Sequence, residues 1–348
     1  MQKINTAICS FGLSGKVFHS PFISRHPGFN LYAVWERSNQ IAKEIYPDVI
    51  SYSSFEDMLA DKAIDLIIVN TPNYTHYEFA KQALHAQKHV VVEKPFTVNV
   101  NEAEELVALA KKQRRILSPF QNRRYDSDFK TVKKIVDEGI LGEIVEAEFH
   151  YDRYNLILSH KEHKETPRAG AGILHDLGPH LIDQALHLFG MPESVFGCLR
   201  TLRPSSRVND YLDILLFYPA KTVRLKSGYI IKEAVPSFVL HGFNGSFLKP
   251  RADVQEDILQ AGAMPGSPDW GTAPEGAKGI LNVNHNGETV REFVPSLQGN
   301  YMEYYDGIYE AIVNNGPPPI SAEDGLKVMK IIEAAQESDK HKMIIEIK

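Results

Sequence analysis

The run His89-Val90-Val91-Val92-Glu93-Lys94-Pro95 reads as a β-strand that ends in an acid, a base and a proline. A short, continuous, β-branched apolar run suits a strand covered on both faces, as in a parallel sheet. Pro95 has no N–H to donate, so pairing stops there. In open α/β sheets, ligands bind beyond the carboxyl ends of the strands, and Glu93 and Lys94 stand at such an end. A lysine so placed has two readings. It is half of a solvated charge pair, or it is a proton carrier whose pKa falls on desolvation.

Upstream, Ile4–Cys9 reads as a first strand, followed by Ser10-Phe11-Gly12-Leu13-Ser14-Gly15 and a helical stretch from Lys16 to about Arg25. This is the strand–turn–helix setting of a dinucleotide fingerprint, in which free N–H groups and a positive dipole end attract a pyrophosphate. Gly12 would let the backbone approach the phosphates, and Gly15 would let helix and strand pack closely. Ser10 stands where the first glycine of the fingerprint belongs. A second strand, Asn30–Trp35, ends at Glu36, about 20 residues after the glycines, where an acid holds a ribose 2′-hydroxyl in NAD binders. Arg37 follows and would meet a 2′-phosphate, so NAD is favoured and NADP stays open. Ile64–Val69 is a further buried strand ending in Asn70-Thr71-Pro72-Asn73. Helical patterns from about Tyr74 to Ala86 and from Asn101 to Gln113 flank the central run. Ile116–Phe120 follows as a strand and ends in Gln121-Asn122-Arg123-Arg124. Strands alternating with helices mean a parallel sheet with right-handed crossovers, so residues 1–122 are expected to form a Rossmann-type α/β domain.

After residue 122 the pattern changes. A helix from about Asp128 to Glu138 precedes strand-like runs at 144–151, 195–199, 211–217 and 222–226. Phe238–His241 and Ser246–Leu248 flank Asn244-Gly245, a hairpin signal. Residues 123–348 are therefore expected to form an α+β domain on a large, mostly antiparallel open sheet. Gly262–Gly279, rich in Gly and Pro and holding Trp270, reads as a lid, an interface arm or a solvated loop. Ser321-Ala322-Glu323-Asp324 has the form of a capping box, with Asp in place of Glu or Gln, opening a last helix to about Gln336.

A chain of 348 residues is expected to hold about two domains, and 24% charged residues fit a soluble globular class. The net charge of −6 argues against nucleic acid or an anionic membrane as partner. No run is apolar and long enough to span a bilayer, and Met1–Asn5 opens no signal-peptide core, so the cytoplasm is expected. Cys9 and Cys198 read as inert buried thiols.

Gly170-Ala171-Gly172-Ile173-Leu174-His175-Asp176-Leu177-Gly178-Pro179-His180-Leu181-Ile182-Asp183-Gln184-Ala185-Leu186-His187 carries the second concentration of chemistry. A helix begun near Asp176 would align Asp176, His180, Asp183 and His187 on one face. Leu181, Ala185 and Leu188 would form a buried stripe. Three readings are open: acid/base catalysis, a metal site using His180, Asp183 and His187, or a polar helix face with an acid as cap.

With Glu93-Lys94-Pro95 followed in order by Gly172-x-x-x-Asp176-x-Gly178-x-His180-x-x-Asp183, the chain resembles the Gfo/Idh/MocA family of NAD(P)-dependent oxidoreductases. Thr71-Pro72-x-x-x-His76 and Gly12-x-Ser14-Gly15-x-x-Phe18-His19-x-Pro21 extend the resemblance, which covers essentially the whole chain. It implies hydride exchange between a nicotinamide and a sugar, inositol or related polyol, with Lys94, Asp176 and His180 as the catalytic group and no metal. The expected cofactor-binding set is Phe11, Gly12, Leu13, Ser14, Gly15, Glu36, Arg37, Asn70, Thr71, Pro72, Asn73, His76, Glu93, Lys94 and Asn122. Arg123, Tyr151, Arg153 and Asp183 are expected to hold the substrate, with Tyr154 a further candidate. The resemblance also implies a homodimer or homotetramer associated through the second domain. Two other functions fit the same fold: a catalytically silent NAD(P)- or sugar-responsive binding protein, and an enzyme that uses NAD only transiently in glycoside cleavage.

Overall fold

A computed structural model describes residues 3–36, 40–159, 162–285 and 287–347. The chain divides into two compact units. The first comprises Met1–Asn122, Gln255–Trp270 and Asn300–Leu326. Its sheet is built from β1 (Ile4–Ile8), β2 (Phe29–Trp35), β3 (Ile50–Tyr52), β4 (Leu66–Val69), β5 (His89–Val92) and β6 (Leu117–Pro119). The strands lie in the order β3-β2-β1-β4-β5-β6, with every pair parallel. This is the doubly wound nucleotide-binding topology. Leu66–Val69 and Val90–Val92 are fully buried, as strands covered on both faces must be. Pro119 is accommodated because β6 is an edge strand.

The helices of this unit are α1 (Ser20–Arg25), α2 (Ile41–Ile45), α3 (Phe55–Ala60), α4 (His76–His85) and α5 (Val100–Gln113). The helix expected from Lys16 starts differently. Gly15–His19 forms a wider π-type turn before α1. Helix α5 is capped by Asn99, whose side chain accepts the Glu102 N–H at 2.9 Å.

The second unit comprises Arg123–Val254, Gly271–Gly299 and Lys327–Lys348. Its elements are α6 (Ser127–Asp137), β7 (Ile144–His150), α7 (Glu162–Glu165), α8 (Ile173–Asp176), α9 (Gly178–Phe189), β8 (Ser194–Arg200), β9 (Tyr211–Phe217), β10 (Thr222–Gly228), β11 (Phe238–Gly242) and β12 (Gly245–Lys249). After α10 (Gln255–Gln260) of the first unit, β13 (Gly279–His285) and β14 (Glu288–Val294) extend the second unit's sheet. It is completed after α11 (Met302–Val313) and α12 (Ala322–His341) by β15 (Ile345–Glu346). The strand order is β14-β13-β12-β11-β7-β10-β9-β8-β15. Among the described residues, β7 and β10 are the one parallel pair of this sheet. Burial alternates along β9 and β10, so one face is core and the other half open.

Several local readings change in the folded chain. The 238–248 hairpin forms, but Gly242 pairs with Gly245, so the turn residues are Phe243-Asn244 and not Asn244-Gly245. The helix expected at Asp176 is broken: α8 ends there, and α9 begins at Gly178, ahead of Pro179. Asp176 is therefore not on the helix that carries His180, Asp183 and the exposed His187. Cys9 is buried, while Cys198 is only half-buried. Trp270 draws its loop in: its indole N–H donates to Gln255 at 3.0 Å, and its ring meets Phe22 edge-on. Phe22 also stacks on Tyr305 at 5.5 Å, which ties 255–270 and 300–326 to the first unit although both come late in the chain. The capping box forms as read, with Asp324 N–H to Ser321 Oγ at 3.1 Å and Ser321 N–H to Asp324 Oδ2 at 3.2 Å.

Candidate active site

Because its strands are parallel, the first sheet ends along one edge, and the chemistry-bearing loops follow that edge. After β1, the Ser10 hydroxyl accepts the Gly12 N–H at 3.4 Å. A serine side chain thus closes the turn that the fingerprint assigns to a glycine. At Gly15 a Cβ would stand 2.2 Å from the Ser10 carbonyl oxygen and 3.2 Å from Asn70 Nδ2, so only glycine fits. Asn70, at the end of β4, donates to that same carbonyl at 2.7 Å. Phe11 is buried, whereas Gly12 and Leu13 are exposed and leave their backbone open to a phosphate.

After β5, the Glu93 carboxylate gathers three donors. Ser14 Oγ donates at 2.6 Å, His19 Nε2 at 3.1 Å and the Lys94 N–H at 3.1 Å. These bonds put a proton on His19 Nε2, and Nδ1 meets the Tyr305 hydroxyl at 2.8 Å. Burial pushes the Glu93 carboxyl up, but His19, Ser14 and Lys94 outweigh it and hold the pKa at about 2. A carboxyl depressed from 4.5 to about 2 contributes stability that is complete above pH 4.5. That contribution, about 3 kcal/mol at most, is lost as pH falls through 2. Urea midpoints should fall more steeply between about pH 5 and 2 for the wild type than for Glu93→Gln; equal slopes would contradict the ionised pair.

His76 is not available to a cofactor. Its ring is buried between the carbonyl oxygens of Pro95 at 2.8 Å and Thr71 at 2.9 Å, and burial pushes its pKa down. It fixes the Thr71 loop to the Pro95 loop. Thr71 and Asn73 are half-buried and Pro72 is exposed beside them. Glu36 also departs from its expected role. Its carboxylate accepts the N–H groups of Ile41 at 3.0 Å and Ala42 at 3.3 Å, and the Ser51 hydroxyl at 3.3 Å. It caps α2 instead of standing open for a ribose. Arg37 lies outside the described residues. Lys94 is half-buried, and Asn122, after β6, is buried.

In the second unit, α8 is launched from Gly172, which takes φ of +85° and where a Cβ would stand 2.6 Å from Asn209 Oδ1. Asp176 ends that turn. Both its oxygens lie 3.1 Å from Lys164 Nζ, and Tyr229 O–H donates to Oδ2 at 3.1 Å. His180 is buried in the first turn of α9. Tyr151 is buried under three guanidinium groups, with Arg251 at 3.8 Å, Arg153 at 5.1 Å and Arg123 at 5.8 Å from its ring centre. Burial pushes its phenol up, and Arg123, Arg251 and Arg153 overcome that and hold it below the usual tyrosine range. Tyr154 is exposed.

Asp183, expected to hold the substrate, is engaged by a side chain of its own unit. It makes a bidentate pair with Arg124, with both bonds 2.7 Å and both side chains buried. Each carboxylate oxygen already accepts one bond of a buried, charge-assisted fork. Conversely, Lys164, Tyr229, His19 and Tyr305 enter these clusters although no local pattern marks them as site residues. Only His19 lay within a quoted motif, and the others come from distant or irregular segments.

The family models match in both halves. "Oxidoreductase family, NAD-binding Rossmann fold" covers residues 4–121, and "Oxidoreductase family, C-terminal alpha/beta domain" covers 133–347. The oxidoreductase YdgJ of Escherichia coli is 39% identical over 98% of both chains. The scyllo-inositol 2-dehydrogenase (NADP(+)) IolW of Bacillus subtilis is 36% identical over 99% of this chain and 96% of its own. Among solved structures, an oxidoreductase from Bacteroides fragilis superposes with a TM-score of 0.90 at 44% identity, covering 99% of this chain and all of the other. With its parallel sheet, its glycine-restricted phosphate turn and matches along nearly its whole length, the chain belongs to the Gfo/Idh/MocA family and is an NAD(P)-dependent oxidoreductase.

Proposed function

We propose that this oxidoreductase exchanges hydride between a nicotinamide and a secondary alcohol of a sugar, inositol or related polyol. The observation that carries this reading is Asp176, held by Lys164 and Tyr229 at the end of α8, followed at the start of α9 by a buried His180: an acid and a histidine of the types that alcohol proton transfer uses. The inositol dehydrogenase among the relatives supports the substrate class. The first unit, which takes in 255–270 and 300–326 as well as the chain up to Asn122, is the cofactor domain in this reading, and the second unit is the substrate domain. The nicotinamide, when bound, supplies the hydride chemistry. Gly12, Leu13 and Gly15 would hold its pyrophosphate, with Asn70, Thr71, Asn73 and Asn122 at the same sheet edge. His180 takes the hydroxyl proton during oxidation and returns it during reduction. Asp176 orients the reacting alcohol, and Lys94 donates a hydrogen bond to the oxygen passing between C–O and C=O. Glu93, fixed by Ser14 and His19, sets the backbone from which Lys94 projects. Screening inositols, polyols and keto-sugars with both cofactors tests the reading. Nicotinamide absorbance should change with at least one of them, and a purely binding protein would change it with none.

In this reading the cofactor preference leans to NADP, because the Glu36 carboxylate, expected to favour NAD by holding the ribose, is engaged by the Ile41 and Ala42 N–H groups. NADPH is expected to bind more tightly than NADH at matched salt, and a tighter NADH would reverse this assignment. The half-open face of the nine-stranded sheet supports a homodimer or homotetramer. Light scattering at micromolar protein should give at least twice the chain mass of 39.2 kDa, against a monomer if the face is simply solvated.

A further inference from the structure

The polar residues of the second unit carry more positive charge than a neutral polyol needs. After β7 the chain keeps pairing with the continuation of β10. Tyr151 N–H reaches Lys226 O at 3.0 Å, Arg153 N–H reaches Gly228 O at 2.9 Å, and Asn155 N–H reaches Tyr229 O at 2.8 Å. The two-residue period puts Tyr151 and Arg153 on the face of Ala147 and Phe149, which is the core face. Arg153 is therefore the point at which that face leaves the apolar core and opens to solvent.

Arg153 has no carboxylate within ion-pair distance among the described residues. Its neighbours are the Tyr151 ring and, farther off, the charge of Asp176. Asp176 is itself neutralised by Lys164, which approaches both oxygens equally. Arg123 and Arg251, on the other side of Tyr151, lie 3.6 and 3.7 Å from the oxygens of Asp126. Asp128 and Asp253 are close by, but they accept the backbone N–H groups of Ala252, Asp253 and Ser127.

The segment that presents Lys164 is a built feature. Arg203, buried, bonds Glu165 at 3.2 Å, the Ile157 carbonyl at 3.2 Å and Asp210 at 3.1 Å. Glu165 in turn accepts the Ser159 N–H at 2.8 Å. The Arg203 guanidinium, anchored by Asp210, bonds both Glu165, next to Lys164, and the Ile157 carbonyl, and Lys164 itself meets Asp176 at 3.1 Å.

We propose that the substrate carries a carboxylate, as an aldonate or uronate does, received by the guanidinium of Arg153 beside the Lys164–Asp176 pair. The proposal rests on the assignment of Asp176 and His180 to the reacting alcohol. A planar guanidinium fork matches a carboxylate in two parallel bonds, and the Arg153 guanidinium has the Tyr151 ring as a neighbour at 5.1 Å. A neutral polyol would leave that charge unanswered. Lys164 keeps Asp176 from repelling the incoming anion.

Equilibrium binding to the cofactor-loaded enzyme provides the test, with matched skeletons: gluconate against sorbitol, galactonate against galactitol, and glucuronate against glucose. Glucose 6-phosphate serves as the phosphate arm. For the best-bound skeleton, the carboxylate is expected to bind about 10- to 100-fold more tightly than its neutral partner. Arg153→Gln should abolish that ratio by lowering the carboxylate's affinity far more than the neutral partner's, and Arg153→Lys should restore part of it. Equal affinities, no binding of any carboxylate, or preference for the phosphate would overturn the proposal. Because binding is read without turnover, an anion that binds but never changes nicotinamide absorbance would sink the polyol reading and leave this site standing.

Discussion

Lys94→Ala is expected to lower kcat by about 10²–10³ while leaving the affinity for the nicotinamide cofactor unchanged. Lys94 follows a strand whose core residues are Val90–Val92, and the half-buried lysine adds little to that core. Under the proposed mechanism its removal takes away the hydrogen-bond donor to the reacting oxygen, an interaction strongest in the transition state. His180→Ala should cost about 10²–10⁴, with the loss shrinking at high pH where solvent can take the hydroxyl proton. The double variant should lose less than the product of the two, because groups that act on one transition state are not additive. Circular dichroism and cofactor titration of each variant separate a chemical loss from a folding loss. If Lys94→Ala turns over at the wild-type rate, Lys94 is only a charge closing a strand, and the catalytic assignment fails.

Much of this arrangement was legible in the chain because it follows from short-range rules. Val90–Val92 and Leu66–Val69 are apolar without alternation, and both strands are buried on both faces. Ser321 and Asp324 are three residues apart, and they cap each other. What the sequence left hidden depends on contacts far apart in number. Glu36 looks like a ribose acid by spacing, yet the start of α2 competes for its carboxylate. His76 sits in a motif, yet two carbonyl oxygens enclose it. The reading of one continuous stripe from Asp176 to His187 failed at Leu177, where α8 ends and α9 has not begun. Lys164 and Tyr229 reach Asp176 across 12 and 53 residues, which no local periodicity reports.

Asp183 separates a structural role from a substrate role most sharply. It lies three residues after His180 on α9, which made it a candidate for a sugar hydroxyl. In the fold, Arg124 Nε and Nη2 donate to its two oxygens at 2.7 Å each. The Arg124 side chain is 9% exposed and that of Asp183 is 2% exposed, so neither charge has water to fall back on. Removing one partner strips the other of a bidentate pair in a buried setting, and breaking such a pair typically costs about 3–5 kcal/mol. Asp183→Ala is therefore expected to lose that much in urea or guanidinium unfolding. Replacing both, as in Arg124→Met with Asp183→Leu, should recover most of the loss, because a buried ion pair is worth little against apolar residues of similar volume. A substrate ligand predicts the reverse: Asp183→Ala with a raised KM and an unchanged unfolding midpoint. That outcome would return Asp183 to the substrate site and leave Arg124 as its positioning partner. Without it, Asp183 holds α9 to the chain entering α6, and His180 inherits its position from that pair.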